Sequence, residues 1–248
     1  MERIVTRFTR ALDSYDRHAD AQQQICRRLI GLLARHTGMH FCRALEIGCG
    51  TGNLTRLLKE NCVIDEWCLN DLCEGCRAKA SAPFGLQPPP FIAGDAETAV
   101  FLGSFDLIAS ASAFQWMKDP AGFLEKLAGM MVPGGVLLLS TFAPGNLSEI
   151  HSLTGKELSY PPAARFEEWL SDDFHLLHIC EEEIIRTFDT PLDVLRHLKY
   201  TGVTATGDGI WTRGRQEAFC RDYIRHFSTP ANSVKLTYRP LYLLAVKK

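Results

Sequence analysis

The stretch Ala44–Asn53, ALEIGCGTGN, constrains the fold more than any other part of the chain. Ala44, Leu45 and Ile47 form a short apolar run of the kind a buried strand uses. Three glycines follow at alternate positions, Gly48, Gly50 and Gly52. Alternate glycines after a strand let the backbone turn sharply and leave no side chain above the turn, so a ligand can lie directly on the main chain. The next segment, NLTRLLKENC, carries Leu54, Leu57 and Leu58 at helical spacing. The turn therefore opens into a helix whose first N–H groups point at that ligand.

A strand, glycine turn and helix by themselves indicate only nucleotide binding. Three carboxylates narrow the ligand. Glu46 lies two residues before the first glycine, where it would repel a pyrophosphate and attract an ammonium. This disfavours a nicotinamide-dependent dehydrogenase. Asp71, nineteen residues beyond Gly52, falls where a second strand ends and can accept hydrogen bonds from both hydroxyls of a ribose. Asp95, in AGDAE after a third strand, can reach an adenine amino group. An ammonium, a ribose and an adenine together describe S-adenosylmethionine. At this point the chain resembles the S-adenosylmethionine-dependent methyltransferases of Rossmann-like fold, whose first motif is E-x-G-x-G-x-G.

Composition bounds the rest. With 248 residues, 46% of them hydrophobic, the chain is long enough for one large α/β domain with an appendage. No run of eighteen apolar residues occurs, so no membrane span is expected. The N-terminus, MERIVTRFTRALDSY, is broken by charges and lacks the apolar core of a signal peptide. The nine cysteines are odd in number and scattered. Cys73 and Cys76 are spaced CxxC without a second pair nearby, so no metal site is expected. These features read as reduced thiols in a cytoplasmic protein. Net charge is −2 but unevenly sorted: residues 1–44 hold eight Lys or Arg against four Asp or Glu, and residues 190–248 hold ten against four. Basic ends of this kind can steer an acidic partner. The absence of a long basic stripe with interleaved aromatics argues against nucleic acid.

Along the chain, residues 1–37 read as a helical cover, with Phe8, Leu12 and Tyr15, then Ile25, Leu29, Leu32 and Leu33, at helical spacing. Strands are expected at 42–47, 63–70, FIAG, 105–111 and 134–142, with helices between them. Such alternation argues a parallel sheet with right-handed crossovers and a ligand beyond the strands' carboxyl ends. FHLLHICEEEIIRTFD, 174–189, reads as one long sixth strand, and SVKLTYRPLYLLAVKK as a single final strand. Between them, TPLDVLRHLKYTGV and TRGRQEAFCRDYIRHF read as two helices. The expected architecture is α/β: a seven-stranded methyltransferase sheet with its last strand antiparallel. Residues 1–37 cover it, 38–189 and 233–248 form the core, and 190–232 make a helical lid between the last two strands.

S-Adenosylmethionine carries an activated methyl group, so positioning a nucleophile is the main task, and an ionised carboxylate needs no base. No His–Asp or Cys–His dyad of obvious spacing stands near the strand exits, and no catalytic base is expected. The QW pair after the fourth strand, the YDRHADAQQQ tract, the LRHLKYTGVTA helix and the terminal VKLTYRPLYLLA together resemble the malonyl-acyl-carrier-protein O-methyltransferases of biotin synthesis, over almost the whole chain. The resemblance implies esterification of the malonyl carboxylate on acyl carrier protein; a monomer with neither membrane nor nucleic acid as partner is expected. It assigns the cofactor to Tyr15, His18, Gln23, Glu46, Gly48, Gly50, Asp71, Leu72, Asp95, Ala96 and Ser112. It gives the acceptor pocket to Phe114, Gln115 and Trp116. A lid crossing the mouth, and the need to hold an anion without proton transfer, point to Arg196 or Lys199 on the lid helix, with Tyr15, as the groups that position the carboxylate. The alternatives are a methyltransferase for another small acid, such as trans-aconitate, or for a quinone-type acceptor. A third is a non-catalytic S-adenosylmethionine-binding interaction protein.

Overall fold

The structure, a computed structural model, describes residues 2–155, 158–202 and 212–248. Two helices come first, α1 (Glu2–His18) and α2 (Asp20–His36). Alternation then sets in with β1 (His40–Ile47), α3 (Asn53–Asn61), β2 (Val63–Asp71), the short α4 (Arg77–Ser81) and β3 (Phe91–Ala93). It continues through β4 (Phe105–Ala111), α5 (Pro120–Gly129) and β5 (Met131–Phe142). Helices α6 (Ser148–Thr154) and α7 (Ala163–Leu170) lead to β6 (Phe174–Glu181) and β7 (Ile184–Phe188). The chain ends with α8 (Pro191–Tyr200), α9 (Arg213–Phe227), β8 (Val234–Tyr238) and β9 (Pro240–Lys247).

Seven strands form the main sheet in the order β3-β2-β1-β4-β5-β9-β6, and only β9 runs antiparallel to its neighbours. This is the expected α/β methyltransferase sheet. Strand order reverses between β1 and β4, so the end of β1 is the switch point where open α/β sheets bind ligands. Successive side chains of each strand enter opposite layers. Ala44, Leu107, Ala109 and Leu138 pack beneath α2, whose Ile25, Leu29 and Leu33 are fully buried. Leu45, Ile108, Leu137 and Leu139 face the other way, against Phe123 and Leu127 of α5 and Phe166 of α7. A third cluster, including Leu12, Cys49, Leu69 and Cys76, seats α1 beside the glycine turn.

Both long C-terminal strands expected from the sequence are divided. Residues 174–189 become β6 in the main sheet and β7 in a separate two-stranded sheet with β8. The chain changes sheets around Glu182, whose N–H donates to the Pro240 carbonyl at 3.0 Å and whose carboxylate pairs with Arg28 at 2.6 Å. The final segment is divided at Arg239. Its N–H donates to Asn146 Oδ1 at 3.0 Å rather than to a strand, and Pro240 brings no N–H to continue the ladder. The first 37 residues are likewise two helices, separated at the fully buried Ala19 (φ −89°, ψ 33°).

The small sheet is held to the main body by Glu149 of α6. This buried carboxylate accepts from the Thr237 N–H at 3.1 Å and the Thr237 hydroxyl at 2.6 Å. Glu149→Ala would leave a buried N–H and hydroxyl without an acceptor, a loss of about 1–3 kcal/mol. The urea unfolding midpoint should fall accordingly; an unchanged midpoint would remove Glu149 from this role.

Candidate active site

The site is built where β1 ends. Gly48, Gly50 and Gly52 all take left-handed backbone angles, φ +67°, +52° and +82°. Space as well as conformation demands glycine: a Cβ on Gly48 would overlap the Ala113 side chain, and one on Gly52 would stand 2.9 Å from Ala80 Cα. The turn is tied down by Asp71 at the end of β2, whose Oδ2 accepts from the Gly50 N–H at 2.8 Å and whose Oδ1 accepts from the Cys73 N–H at 2.8 Å. Burial raises the Asp71 pKa above the usual carboxylate range, while those two N–H bonds pull it down. Each oxygen keeps a lone pair for a further donor.

The glycine turn, the ends of β2, β3 and β4, and the N-terminal helices enclose one cavity. Of the residues singled out for cofactor binding, Tyr15, Glu46, Gly48, Gly50, Asp71, Leu72, Asp95, Ala96 and Ser112 line it. Asp95 Oδ1 accepts from the Glu97 N–H at 3.1 Å, and its Oδ2 stands 3.5 Å from Lys118 Nζ. Ser112 is one of few non-glycine residues with positive φ, +54°. Its N–H donates to the Ser140 carbonyl at 3.1 Å, and its hydroxyl has no partner among the described residues.

Glu46 is the electrostatic centre of the cavity. It is 2% exposed on a central strand, and its Oε2 has no hydrogen-bond partner. Burial, reinforced by the Asp71 charge and opposed by hydrogen bonding from Thr55, pushes its pKa up to about 8. A buried carboxyl oxygen left without a donor is costly unless something completes it. A cation with N–H donors does so, and the ammonium of an amino acid fits on charge and hydrogen-bonding grounds. The glycine turn beside it, bare of side chains, fits the rest of S-adenosylmethionine.

Other expected residues lie elsewhere. His18 stacks on Tyr200 with ring centroids 4.7 Å apart, away from the cavity wall. Gln23 spends its amide on the Asp16 carbonyl at 3.0 Å. Phe114 is 2% exposed and packs against Phe123 and Phe166, so it belongs to the core. Gln115 turns back to the Ser112 carbonyl at 2.5 Å, whereas Trp116 lines the cavity. Arg196 pairs with Asp193 at 2.7 Å on an exposed face of α8, and Lys199 is exposed on the same helix. In their place the cavity wall includes Phe8, Gln22, Cys26 and Asn53. A sequence signal for Gln22 did exist. It falls three residues before Ile25 and seven before Leu29, on the stripe α2 buries, while Gln23 falls off it.

The Glu46 carboxyl is neutral below about pH 8 and must ionise to hold an ammonium. Binding of S-adenosylhomocysteine at pH 7 should therefore release close to one proton, and affinity should rise about tenfold from pH 6 to pH 7 before levelling near pH 8. Calorimetry in buffers of different ionisation heat reads this directly. A binding heat independent of buffer, or equal affinities at the two pH values, would contradict it. Gly48→Ala should abolish binding through steric overlap at the turn.

Residues 45–139 match the methyltransferase domain family. A malonyl-[acyl-carrier protein] O-methyltransferase of Porphyromonas gingivalis is 45% identical over 98% of this chain and 95% of its own length. Among solved structures, a putative methyltransferase from Bacillus halodurans superposes with a TM-score of 0.66 at 15% identity, covering 89% of this chain and 97% of that one. The N-methyltransferase NodS of Bradyrhizobium japonicum, solved with S-adenosyl-L-homocysteine, gives 0.55 at 13% identity, covering 96% and 98%. The two structures establish a shared fold. The identity to the Porphyromonas enzyme, sustained over almost the whole of both chains, goes further: this chain belongs to the malonyl-[acyl-carrier protein] O-methyltransferase family.

Proposed function

We propose that the protein transfers the methyl group of S-adenosylmethionine to the free carboxylate of a malonyl thioester carried on acyl carrier protein, releasing S-adenosylhomocysteine. The methyl ester so formed is the starting unit for pimelate in biotin synthesis. The observation that carries this reading is the full-length similarity to enzymes of that name, joined to a cavity in which the unpartnered Oε2 of Glu46 suits the cofactor.

When bound, the cofactor supplies a sulfonium-activated methyl group. Glu46 would take its ammonium, Asp71 the ribose hydroxyls and Asp95 the adenine amino group, with Leu72 and Ala96 beside the base. Tyr15 and Ser112, which also line the cavity, would serve the methionine end. Burial holds the Tyr15 pKa well above the usual phenol range, so its hydroxyl stays neutral and serves as a hydrogen-bond donor. Among the described residues lining the cavity there is no His, Lys or Arg. An acceptor carboxylate is ionised at neutral pH and needs no general base; the task of the wall is alignment and exclusion of water, worth up to about 7–11 kcal/mol in well-oriented cases. Trp116 walls the acceptor side.

Arg196 and Lys199 lie on α8, which packs against α1, the helix that brings Phe8 and Tyr15 to the cavity. Their exposure suits long-range attraction of an acidic carrier better than direct contact with the malonyl group. His18 and Gln23 would then brace the helical cover and not touch the cofactor. No described helix is long and apolar enough to cross a membrane. All nine cysteines are free, which suits a reducing cytoplasm, and we read the enzyme as a monomer there.

Mass spectrometry of malonyl-loaded carrier protein, after incubation with enzyme and S-adenosylmethionine, should show the gain of one methyl group, removable by mild ester hydrolysis. Transfer to trans-aconitate but not to the malonyl carrier would overturn the proposal. Charge reversal by Arg196→Glu together with Lys199→Glu should raise KM for the carrier several-fold at low salt with little change in kcat, and the difference should shrink in high salt. An unaltered KM would remove both residues from carrier capture.

A further inference from the structure

Asp95 is carried by a turn that helix α5 grips. The chain leaves β3 at Ala93 and makes a single turn over 95–99, closed by the Thr98 and Ala99 N–H groups, which donate to the Asp95 carbonyl at 3.0 and 2.8 Å. The turn does not continue into a helix, so no following turn supplies N–H donors to its later carbonyls. Lys126 of α5 supplies them instead. Its Nζ donates to the carbonyls of Ala96, Glu97 and Ala99 at 2.9, 3.0 and 2.6 Å. An ammonium has three N–H groups, and one such group can serve three oxygens that converge on it. Burial lowers the Lys126 pKa, and the charges of Asp95 and Glu97 oppose that pull.

The side chains of the turn are held as well. The Glu97 N–H donates to Asp95 Oδ1 at 3.1 Å. The Glu97 carboxylate accepts from the N–H groups of Lys118 and Asp119 at 3.0 and 2.8 Å, where the chain enters α5. One oxygen of Asp95 is thereby fixed by backbone. The other, Oδ2, meets the exposed Lys118 Nζ at 3.5 Å, a contact worth little in water. Asp95 and Ala96 line the cavity, whereas Lys126 does not. A carboxylate on a loose turn would have to be ordered as the ligand binds, at a cost in affinity; one on a pinned turn is ordered beforehand.

We propose that Lys126 is a positioning residue for base recognition: by holding three carbonyls of the turn, it fixes the Asp95 carboxylate where that group accepts from the adenine amino group. The proposal rests on the placement of adenine at Asp95 given above. It makes α5 part of the cofactor site although no residue of that helix lines the cavity.

Calorimetry with two ligands tests it: S-adenosylhomocysteine, and its analogue in which hydrogen replaces the adenine amino group. Lys126→Met keeps most of the aliphatic stem and removes the ammonium. It should raise the Kd for S-adenosylhomocysteine about tenfold, the loss typical of one hydrogen bond to a charged group, and leave the analogue within about twofold of its wild-type value. Asp95→Ala should give a similar selective loss, and the double variant should be little worse than either single one. Lys126→Arg keeps the charge, but a planar fork does not match three carbonyls converging on one atom, so a smaller loss confined to S-adenosylhomocysteine is expected. Unchanged S-adenosylhomocysteine affinity in Lys126→Met would overturn the proposal, as would equal losses for both ligands or fully additive effects. Should Lys126→Met fail to fold, equal losses or no loss in Lys126→Arg would overturn it. Equal affinity of the wild-type protein for the two ligands would overturn the placement of adenine at Asp95 itself, and this proposal with it.

Discussion

A buried carboxyl with one oxygen left unpartnered among the described residues is the constraint from which the rest of this structure follows. Glu46 sits on β1 between β2 and β4, opposite Leu69 and Ala109 in the strand registers, with its Oε2 unsatisfied. A protein that needed only stability would place an apolar side chain there. The strand order reverses beside this residue, so the groove it faces is the one opening the sheet provides by topology. Burial keeps the carboxyl protonated until a cation arrives, and the free protein thereby avoids holding an uncompensated charge in its core.

The same economy governs the neighbouring turn. Asp71 holds the glycine turn and the start of the following loop through two backbone N–H groups, and it lines the cavity as well. Structure and recognition share one side chain. The three left-handed glycines allow close approach of a ligand, and the surrounding Ala113 and Ala80 leave no room for larger residues. Helices α1 and α2 close the other side, with Thr51 Oγ1 donating to Asp16 Oδ1 at 2.5 Å to join cover and turn. The cavity is thus a product of β1, β2, β4 and the N-terminal helices together, and its shape depends on the cover being docked.

Much of this was legible in the sequence because its causes are local. The glycine turn, the carboxylates at 46, 71 and 95 and the alternation of strands with helices follow from residue type and period, and each stands where that reading put it. So does the helix read over TPLDVLRHLKYTGV, which starts at Pro191 with the Thr190 side chain capping its first turn. What failed to show depends on distant partners. Nothing between Cys180 and Ile184 signals a change of sheet; Glu182 makes it by meeting Arg28 and Pro240, residues far away in the chain. Pro240 did carry a local sign of the second break. Among three consecutive glutamines, helical phase separates the buried Gln22 from Gln23, but the break at Ala19 blurs that phase when α1 and α2 are read as one helix. Phe114 and Arg196 were placed by proximity to the strand exit and the lid, whereas packing against Phe166 and pairing with Asp193 decide where they point.

Charge recognition by Glu46 is the central claim, and a double-mutant cycle across the interface tests it most directly. One arm of the cycle is Glu46→Gln; the other is the analogue of S-adenosylhomocysteine in which hydrogen replaces the amino group. Dissociation constants for the four combinations, measured near pH 8, yield the coupling between carboxylate and ammonium. The account requires that wild type lose at least tenfold in affinity when the amino group is removed, and that Glu46→Gln lose little further on the same change. Equal losses in both proteins, meaning no coupling, would contradict it.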